Sequence, residues 1–375
     1  MDFTYSEQQT AVRELARQII ADHSQPGQLR EIEQQPQRLD QALWRQLAQA
    51  GLLGVAIDEA YGGMGYGFES LCLLVEEVGR HVAAAPVIPV LVSAASTLQR
   101  FAPESLRQRY LPGVASGAHL LGAALAEPGS TDPGAPHCRA EEIDGQWHLS
   151  GRKHCVPFAA QCARLLVTAR AGDELVALLV DPQSAQVSMA PQAVTAGETQ
   201  YEVTFDGAVS EELIARGGRA EALARGLDDA TAAAYAMLAT GLCDQMLRMT
   251  ASYTSERKQF GVPIATFQAV GHRAADAFID IECLRLASQQ AVSSLDRDQD
   301  AREAVQVARI WTGDVTHRVS QSAQHLHGGM GVDRDYPLFR YCLWARQIEL
   351  TVGGSASNLA ALGASIAEEF RAAPA

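Results

Sequence analysis

No two of the seven cysteines (Cys72, Cys138, Cys155, Cys162, Cys243, Cys283 and Cys342) form a C-x-x-C pair, and their number is odd. That excludes a zinc cage built on paired thiolates and argues against a disulfide framework, so a reducing cytoplasm is the expected compartment. Long apolar runs are missing too: none approaches the ~18 to 20 residues that a spanning helix needs. The start, Met1-Asp2-Phe3-Thr4-Tyr5, has no basic-then-apolar signal, and a soluble protein is expected. Positive charge is never clustered, and the formal net charge is −14. Nucleic acid is therefore excluded as a partner, because neutralising phosphates takes clustered Lys and Arg. Any anionic ligand must be met by local features. Nowhere does a strand lead directly into a G-x-G-x-x-G turn and a helix, which argues against nicotinamide as the primary cofactor. Metal-ligand spacing is also lacking, since His325 and His327 have no visible third ligand.

What is present is length and changing texture. A chain of 375 residues can bury a large core and form two or three structural units. Ser6 with Gln9 reads as a capping box opening a helix through Ile20, and further helices are expected over Gln41 to Ala50 and Glu69 to His81. The glycine-rich stretch from Tyr61 to Gly67 reads as a turn between helices. Near Leu120 the period shifts toward two, and Asp144-Gly145 between Ile143 and Trp147 signals a hairpin. Ala163 to Ala169 and Leu175 to Val180 are apolar strands split by Ala171-Gly172-Asp173. Tyr201, Val203 and Phe205 alternate with polar residues, as on a strand with one wet face. After Gly218 helical stripes return: Val270, Ala274, Phe278 and Ile281 form one, and Val305, Ala308, Thr312, Val315 and Val319 another. Long helices side by side imply a bundle. The fold class is α+β, mostly α. Residues 1–119 are expected to form a helical domain, 120–218 a small β-barrel or sandwich, and 219–375 a four-helix bundle.

Four motifs in order then narrow the reading. They are Gly51-Leu52-Leu53-Gly54 with Glu59 to Gly65 and Glu76-Glu77-Val78-Gly79-Arg80; Ala126-Glu127-Pro128-Gly129; Arg257 to Ile264 with Phe267-Gln268; and His325 to Gly331. Together they resemble the acyl-CoA dehydrogenase family over nearly the whole chain, and the third matches that family's R-x-Q-F-G-x-P-I…F-Q segment almost letter for letter. The resemblance implies an FAD enzyme that dehydrogenates an acyl-CoA thioester to the trans-2-enoyl thioester and passes electrons to an electron-transferring flavoprotein.

On their own chemistry, Arg257 offers a fixed fork of donors for a pyrophosphate, Phe260 a flat apolar face, and Gly328-Gly329 a backbone that an anion can approach closely. The structural alternative for Arg257 is a helix-end ion pair, and for Phe260 a core position. The family context implies instead that Arg257, Gln259, Phe260, Gln268, His325, Gly328 and Gly329 contact the adenosine diphosphate half of FAD, much of which is held by a neighbouring subunit. The flavin-ring side departs from the family. Ala126 stands where a threonine would bond the ring edge, and Lys153-His154-Cys155-Val156-Pro157 replaces K-x-W-I-T, whose tryptophan and threonine touch the flavin.

The base departs as well. Removing an α-proton while hydride leaves the β-carbon needs a carboxylate in a dry pocket. Counting from Gly328-Gly329, the usual glutamate position is Val352, before Gly353-Gly354, with Glu349 one helical turn earlier. A second position used by some members falls near Thr231, with Asp228 and Asp229 just upstream. Three readings follow: a homotetrameric acyl-CoA dehydrogenase with Glu349 as base; one subunit of a heteromeric enzyme of the steroid side-chain type, supplying the adenine half-site to a homologous partner; or a non-catalytic interaction protein on the same fold. Losses clustered on one half-site favour the second, as do Asp335-Tyr336-Pro337-Leu338 and the Glu349 to Gly354 ending.

Overall fold

Asp144 and Gly145 both take positive φ, 51° and 80°, and join strands whose register closes on Ile143 and Gln146. Such a two-residue turn matches the right-handed twist of the strands it links, and the expected hairpin is formed. The structure, a computed structural model, describes residues 3–372. In chain order, helices α1 (Glu7–His23), α2 (Pro26–Glu33), α3 (Gln41–Gln49), α4 (Gly67–His81), α5 (Thr97–Phe101) and α6 (Glu104–Ala115) come first. Strands β1 (Leu121–Ala124), β2 (Arg139–Ile143), β3 (Gln146–Pro157), β4 (Arg164–Ala171), β5 (Glu174–Val180), β6 (Val187–Gln192), β7 (Gln200–Ser210) and β8 (Glu212–Arg216) follow. The last part holds α7 (Gly218–Glu256), the short hairpin β9 (Lys258–Gln259) and β10 (Val262–Pro263), α8 (Gln268–Asp296), α9 (Arg302–His327), α10 (Leu338–Thr351) and α11 (Gly354–Ala372).

These elements cluster into two units. One contains the N-terminal segment to Pro26, Cys72–Ala83 and the chain from Ala232 onward; the other contains Gly27–Leu71 and Ala84–Thr231. The second unit carries the β-rich part, a sheet of order β6-β7-β3-β2-β4-β5-β8 with β1 parallel to β4. Leu165, Val167, Val176, Leu178, Val203 and Phe205 fill its core, so the apolar runs read as strands are buried as expected. A nine-residue π-helix, Ile88–Ser96, was not legible: its apolar run carries no signal of the wider winding, in which the Ser96 hydroxyl donates to the Leu91 carbonyl five residues back, at 2.9 Å.

The first unit is helical. The capping box at its start is present: Gln9 N–H donates to Ser6 Oγ at 3.2 Å, and Ser6 N–H to Gln9 Oε1 at 2.9 Å. Helices α4 and α7 meet backbone to backbone. A Cβ on Gly79 would collide with the Leu238 carbonyl, and one on Gly241 with the Glu76 carbonyl. Beside this contact Arg80 bridges Glu76, Glu77 and Asp244, while Arg285 of α8 reaches Glu76 at 3.0 Å. Glu76 and Glu77 are buried, and burial pushes the Glu77 carboxyl above the ordinary range despite Arg80. The Glu76 to Arg80 signature is thus the seam between α4, α7 and α8.

One stripe needs correction. Val305, Ala308, Thr312, Val315 and Val319 are buried on α9 as expected. On α8 the buried line runs instead through Ala277, Ile281, Leu284 and Ser288, and Phe278 is 57% exposed together with Ile279 and Leu286. The helix is apolar on two faces, so spacing alone cannot say which one packs on α9.

Candidate functional site

Helix α7 ends at Glu256, and the chain turns at once into the hairpin that carries Gln259 and Phe260. Ile264 N–H donates to the Arg257 carbonyl at 2.8 Å, which folds the hairpin back onto the helix end. Gln259 pairs with Val262 across a two-residue turn, Phe260-Gly261, with φ of +54° and +85°. Phe260 thus sits in the left-handed region, which costs a residue with a Cβ roughly 1–2 kcal/mol, and it is also 93% exposed. Asn or Gly would suit this turn better, so the aromatic is held there against both strain and exposure. Its ring meets that of Phe267 edge-on at 6.2 Å. Arg257 is exposed and pairs with no carboxylate among the described residues, which leaves its guanidinium fork open. Gln268, the first residue of α8, is exposed as well.

The second element is the end of α9. His325 is exposed, whereas His327 is buried and stacks on Tyr253 of α7 with centroids 4.3 Å apart. Burial pushes the His327 imidazole pKa below its ordinary value, although its bond to the Ala323 carbonyl opposes this. Through this contact the two predicted segments share one end of the helical unit. The three glycines that follow are there for different reasons. Gly328 needs its φ of +57° and uses its own N–H on the His325 carbonyl, so its amide is not open to an anion as expected. At Gly331 a Cβ would lie 2.9 Å from the Gln324 carbonyl oxygen. Gly329 has neither constraint, and a Cβ there would meet nothing within 4 Å. The backbone at 329 is open to close approach from outside. An exposed cationic fork, a flat aromatic and an open glycine backbone fit the adenosine diphosphate end of a dinucleotide.

The ring-side motifs lie in the β-rich unit and do a different job. Lys153 is completely buried and its Nζ lies 2.7 Å from Glu127 Oε1. Glu127 also accepts from the backbone N–H groups of His137 and Cys138. Burial alone would raise the Glu127 pKa, but the Lys153 ammonium and the two amides outweigh it and hold it at about 2. His154 N–H donates to the Ala126 carbonyl at 2.9 Å, tying the two motifs together a second time. The retained Glu and Lys are a buried structural pair, while Ala126, Cys155 and Pro157 offer no side-chain hydrogen bond suited to a flavin ring. At these three positions the side chains do not fit a flavin ring. The Glu127–Lys153 pairing went unread in sequence although both letters stood in quoted motifs.

The base positions carry no open carboxylate. Val352 is buried and apolar, and its carbonyl accepts from Asn358 Nδ2 at 2.9 Å. Glu349 lies 2.7 Å from Arg346 and 3.4 Å from His317 Nδ1 of α9, whose Nε2 is 2.9 Å from Gln321. Both oxygens of Glu349 are thereby engaged. In the β-rich unit Thr231 shares a hydroxyl–hydroxyl bond of 3.0 Å with Ser93. Among the described residues no group of three His, Cys, Asp or Glu could hold a metal ion, and no helix is long and apolar enough to cross a membrane.

Fold and motifs define a chain of the acyl-CoA dehydrogenase type, and comparison with known proteins agrees. Residues 6–118 match the family model for the acyl-CoA dehydrogenase N-terminal domain, and 225–367 that for the C-terminal domain. The chain belongs to the acyl-CoA dehydrogenase family, oxidoreductases that act on CH–CH groups with FAD as cofactor. It is 32% identical to the acyl-CoA dehydrogenase FadE27 of Mycobacterium tuberculosis, over 98% of this chain and 99% of that protein. Among solved structures it is similar to a steroid ACAD, Tcur3481-Tcur3483, with 40% identity, a TM-score of 0.92, and coverage of 98% of this chain and 99% of the other. It is also similar to the ChsE4-ChsE5 complex from Mycobacterium tuberculosis, with 31% identity, a TM-score of 0.92 and full coverage of both chains.

Proposed function

We propose that this chain is one subunit of a heteromeric acyl-CoA dehydrogenase, in which it presents the adenosine diphosphate half-site of FAD to a homologous partner that supplies the flavin-ring contacts and the catalytic base. The asymmetry between the two ends carries the reading. Arg257, Phe260 and Gly329 stand open on the helical unit, whereas Ala126, Cys155, Pro157, Thr231 and Val352 occupy the positions where ring contacts or a base are expected. In this role Arg257 would hold the pyrophosphate, Phe260 would pack on the adenine, and Gln259, Gln268 and His325 would be polar contacts. Gly328 shapes the turn that brings Gly329 close. Glu349 ties α10 to α9 rather than taking a proton.

Bound FAD supplies the hydride acceptor of the assembled enzyme. The reaction is loss of an α-proton and a β-hydride from an acyl-CoA, leaving the trans-2-enoyl thioester, with electrons passing on to an electron-transferring flavoprotein. Likeness to a steroid ACAD over nearly the whole chain supports a bulky, steroid-type acyl group as substrate. Likeness to the ChsE4-ChsE5 complex supports a second, homologous chain. Seven free cysteines are in keeping with a reducing cytoplasm.

The test is the FAD-to-chain ratio, from flavin absorbance, of the protein purified alone and after coexpression with any acyl-CoA dehydrogenase-like chain encoded beside it. Little flavin alone and about one per pair together is the expected result. About one flavin per chain alone, with turnover abolished by Glu349→Gln, would replace this reading with a self-sufficient enzyme. Absence of flavin and of turnover in both preparations would point to a non-catalytic protein on the same fold.

A further inference from the structure

The Arg257 hairpin and the Gly328-Gly329 turn are both short and exposed, so their mutual spacing must be set from behind. A cluster of three rings stands there. Tyr253, one turn before Arg257 on α7, stacks on His327 with centroids 4.3 Å apart and planes inclined by 22°. Tyr336 closes the cluster at 6.2 Å from Tyr253 and 5.2 Å from His327. The hydrogen bonds around His327 are directional. Its Nδ1 lies 2.8 Å from the Ala323 carbonyl, which can only accept, so Nδ1 carries the proton and Nε2 is left as an acceptor. The Tyr336 hydroxyl, 3.2 Å from Nε2, is placed to donate to it.

This anchoring reaches the half-site through the backbone. The His327 carbonyl accepts from the Tyr253 hydroxyl at 3.4 Å, and the N–H of the same peptide, on Gly328, donates to the His325 carbonyl. The peptide plane that begins the glycine turn is therefore held from both ends. Tyr253 also accepts, through its own carbonyl, the N–H of Arg257 at 2.8 Å. One stacked pair thus sits directly behind both the arginine fork and the open glycine.

We infer that His327 is the positioning residue of the dinucleotide half-site, fixing Gly329 relative to Arg257 through Tyr253 and Tyr336. The inference rests on the half-site reading above. It gives a role to a histidine that is neither a metal ligand nor a contact residue, and to the tyrosine of Asp335-Tyr336-Pro337-Leu338.

The experiment titrates the full-length chain with adenosine diphosphate, followed by ligand-observed NMR well below the melting temperature. The proteins are wild type, Arg257→Ala, His327→Leu, Tyr336→Phe and the double variant Arg257→Ala/His327→Leu. Arg257→Ala and His327→Leu are each expected to weaken binding about tenfold or more. Because both lose the same fork-to-glycine geometry, the double variant should be hardly weaker than Arg257→Ala alone, a non-additivity diagnostic of shared action. Tyr336→Phe should weaken binding about threefold, and it carries the test if His327→Leu does not fold. A purely structural His327 would lower the melting temperature yet leave affinity within about twofold of wild type, or its loss would multiply fully with that of Arg257→Ala. Any of those results overturns the positioning role while an effect of Arg257→Ala alone preserves the half-site. Wild type showing no binding at about 5 mM, or Arg257→Ala binding as wild type does, overturns the half-site and this inference together.

Discussion

Replacing Glu127 by glutamine leaves the ammonium of Lys153 buried with no counter-charge, at a site where both side chains are 3% exposed or less. Removing one partner of a buried pair costs about 3–5 kcal/mol, since the remaining charge keeps its desolvation penalty and loses its compensation. The lowered pKa of Glu127 expresses the same interaction and gives a figure of the same order. Glu127 is held at about 2 against an ordinary 4.5. At roughly 1.4 kcal/mol per unit, the ionised folded form is favoured by about 3 kcal/mol. Because the folded value is the lower one, this stabilisation is complete above about pH 4.5 and is lost as the pH falls toward 2. Urea denaturation followed by circular dichroism at pH 7 and near pH 2.5 measures both effects. Glu127→Gln should lose about 3 kcal/mol or more at pH 7, and the gap to wild type should narrow at low pH, where wild type has lost the same term. Adding Lys153→Met should recover most of the loss, leaving about 1–2 kcal/mol for the amides of His137 and Cys138. A loss under about 1 kcal/mol at pH 7, or a gap that is unchanged at low pH, would refute the structural role given to these motif residues.

Gly241→Ala should destabilise the protein by about 1–3 kcal/mol or more, because the added methyl meets the Glu76 carbonyl where α4 and α7 touch; a melting temperature equal to wild type would contradict that contact. Arg80→Ala should cost about 3–5 kcal/mol, since Glu76, Glu77 and Asp244 lose their shared cation, and urea midpoints check it. Phe260→Asn should stabilise the isolated chain by about 1 kcal/mol by relieving the left-handed aromatic, yet lower flavin retention in the assembled complex. Glu349→Gln should leave turnover of that complex within about twofold and stability within about 1 kcal/mol, the scale of a partly exposed ion pair; a loss of turnover of a thousandfold would make it the base.

Much of the local structure was legible because its causes are local. Ser6 and Gln9 cap a helix with atoms three residues apart, and Asp144-Gly145 reverses the chain by backbone angles that the pair readily adopts. The α9 stripe was legible because Val305, Ala308, Thr312, Val315 and Val319 repeat at helical spacing along one face. Phe278 was misplaced because α8 is apolar on two faces, and the choice between them is made by α9. Motif letters marked Glu127, Lys153, Glu76 and Arg80 as important without saying for what. Glu127 and Lys153 come from different segments, and Glu76 and Arg80, one turn apart on α4, are completed by Arg285 and Asp244 from other helices, so a structural ion pair and a catalytic carboxylate read alike in sequence. Glu349 shows the same limit: its neighbour Arg346 was visible one turn away, but His317 comes from another helix.

By itself the sequence determined the family, the order of helical and β-rich parts, the segments bearing Arg257, Phe260 and Gly329, and the departure of Ala126 and Lys153 to Pro157 from the family's motifs, because each is a matter of residue type at a fixed spacing. Only the tertiary structure decided that Phe260 stands exposed in a strained turn, that Gly328 uses its amide internally while a side chain at Gly329 would meet nothing, and that His327 stacks on Tyr253. Those properties depend on where distant helix ends meet, and no spacing along the chain encodes a meeting between α7 and α9.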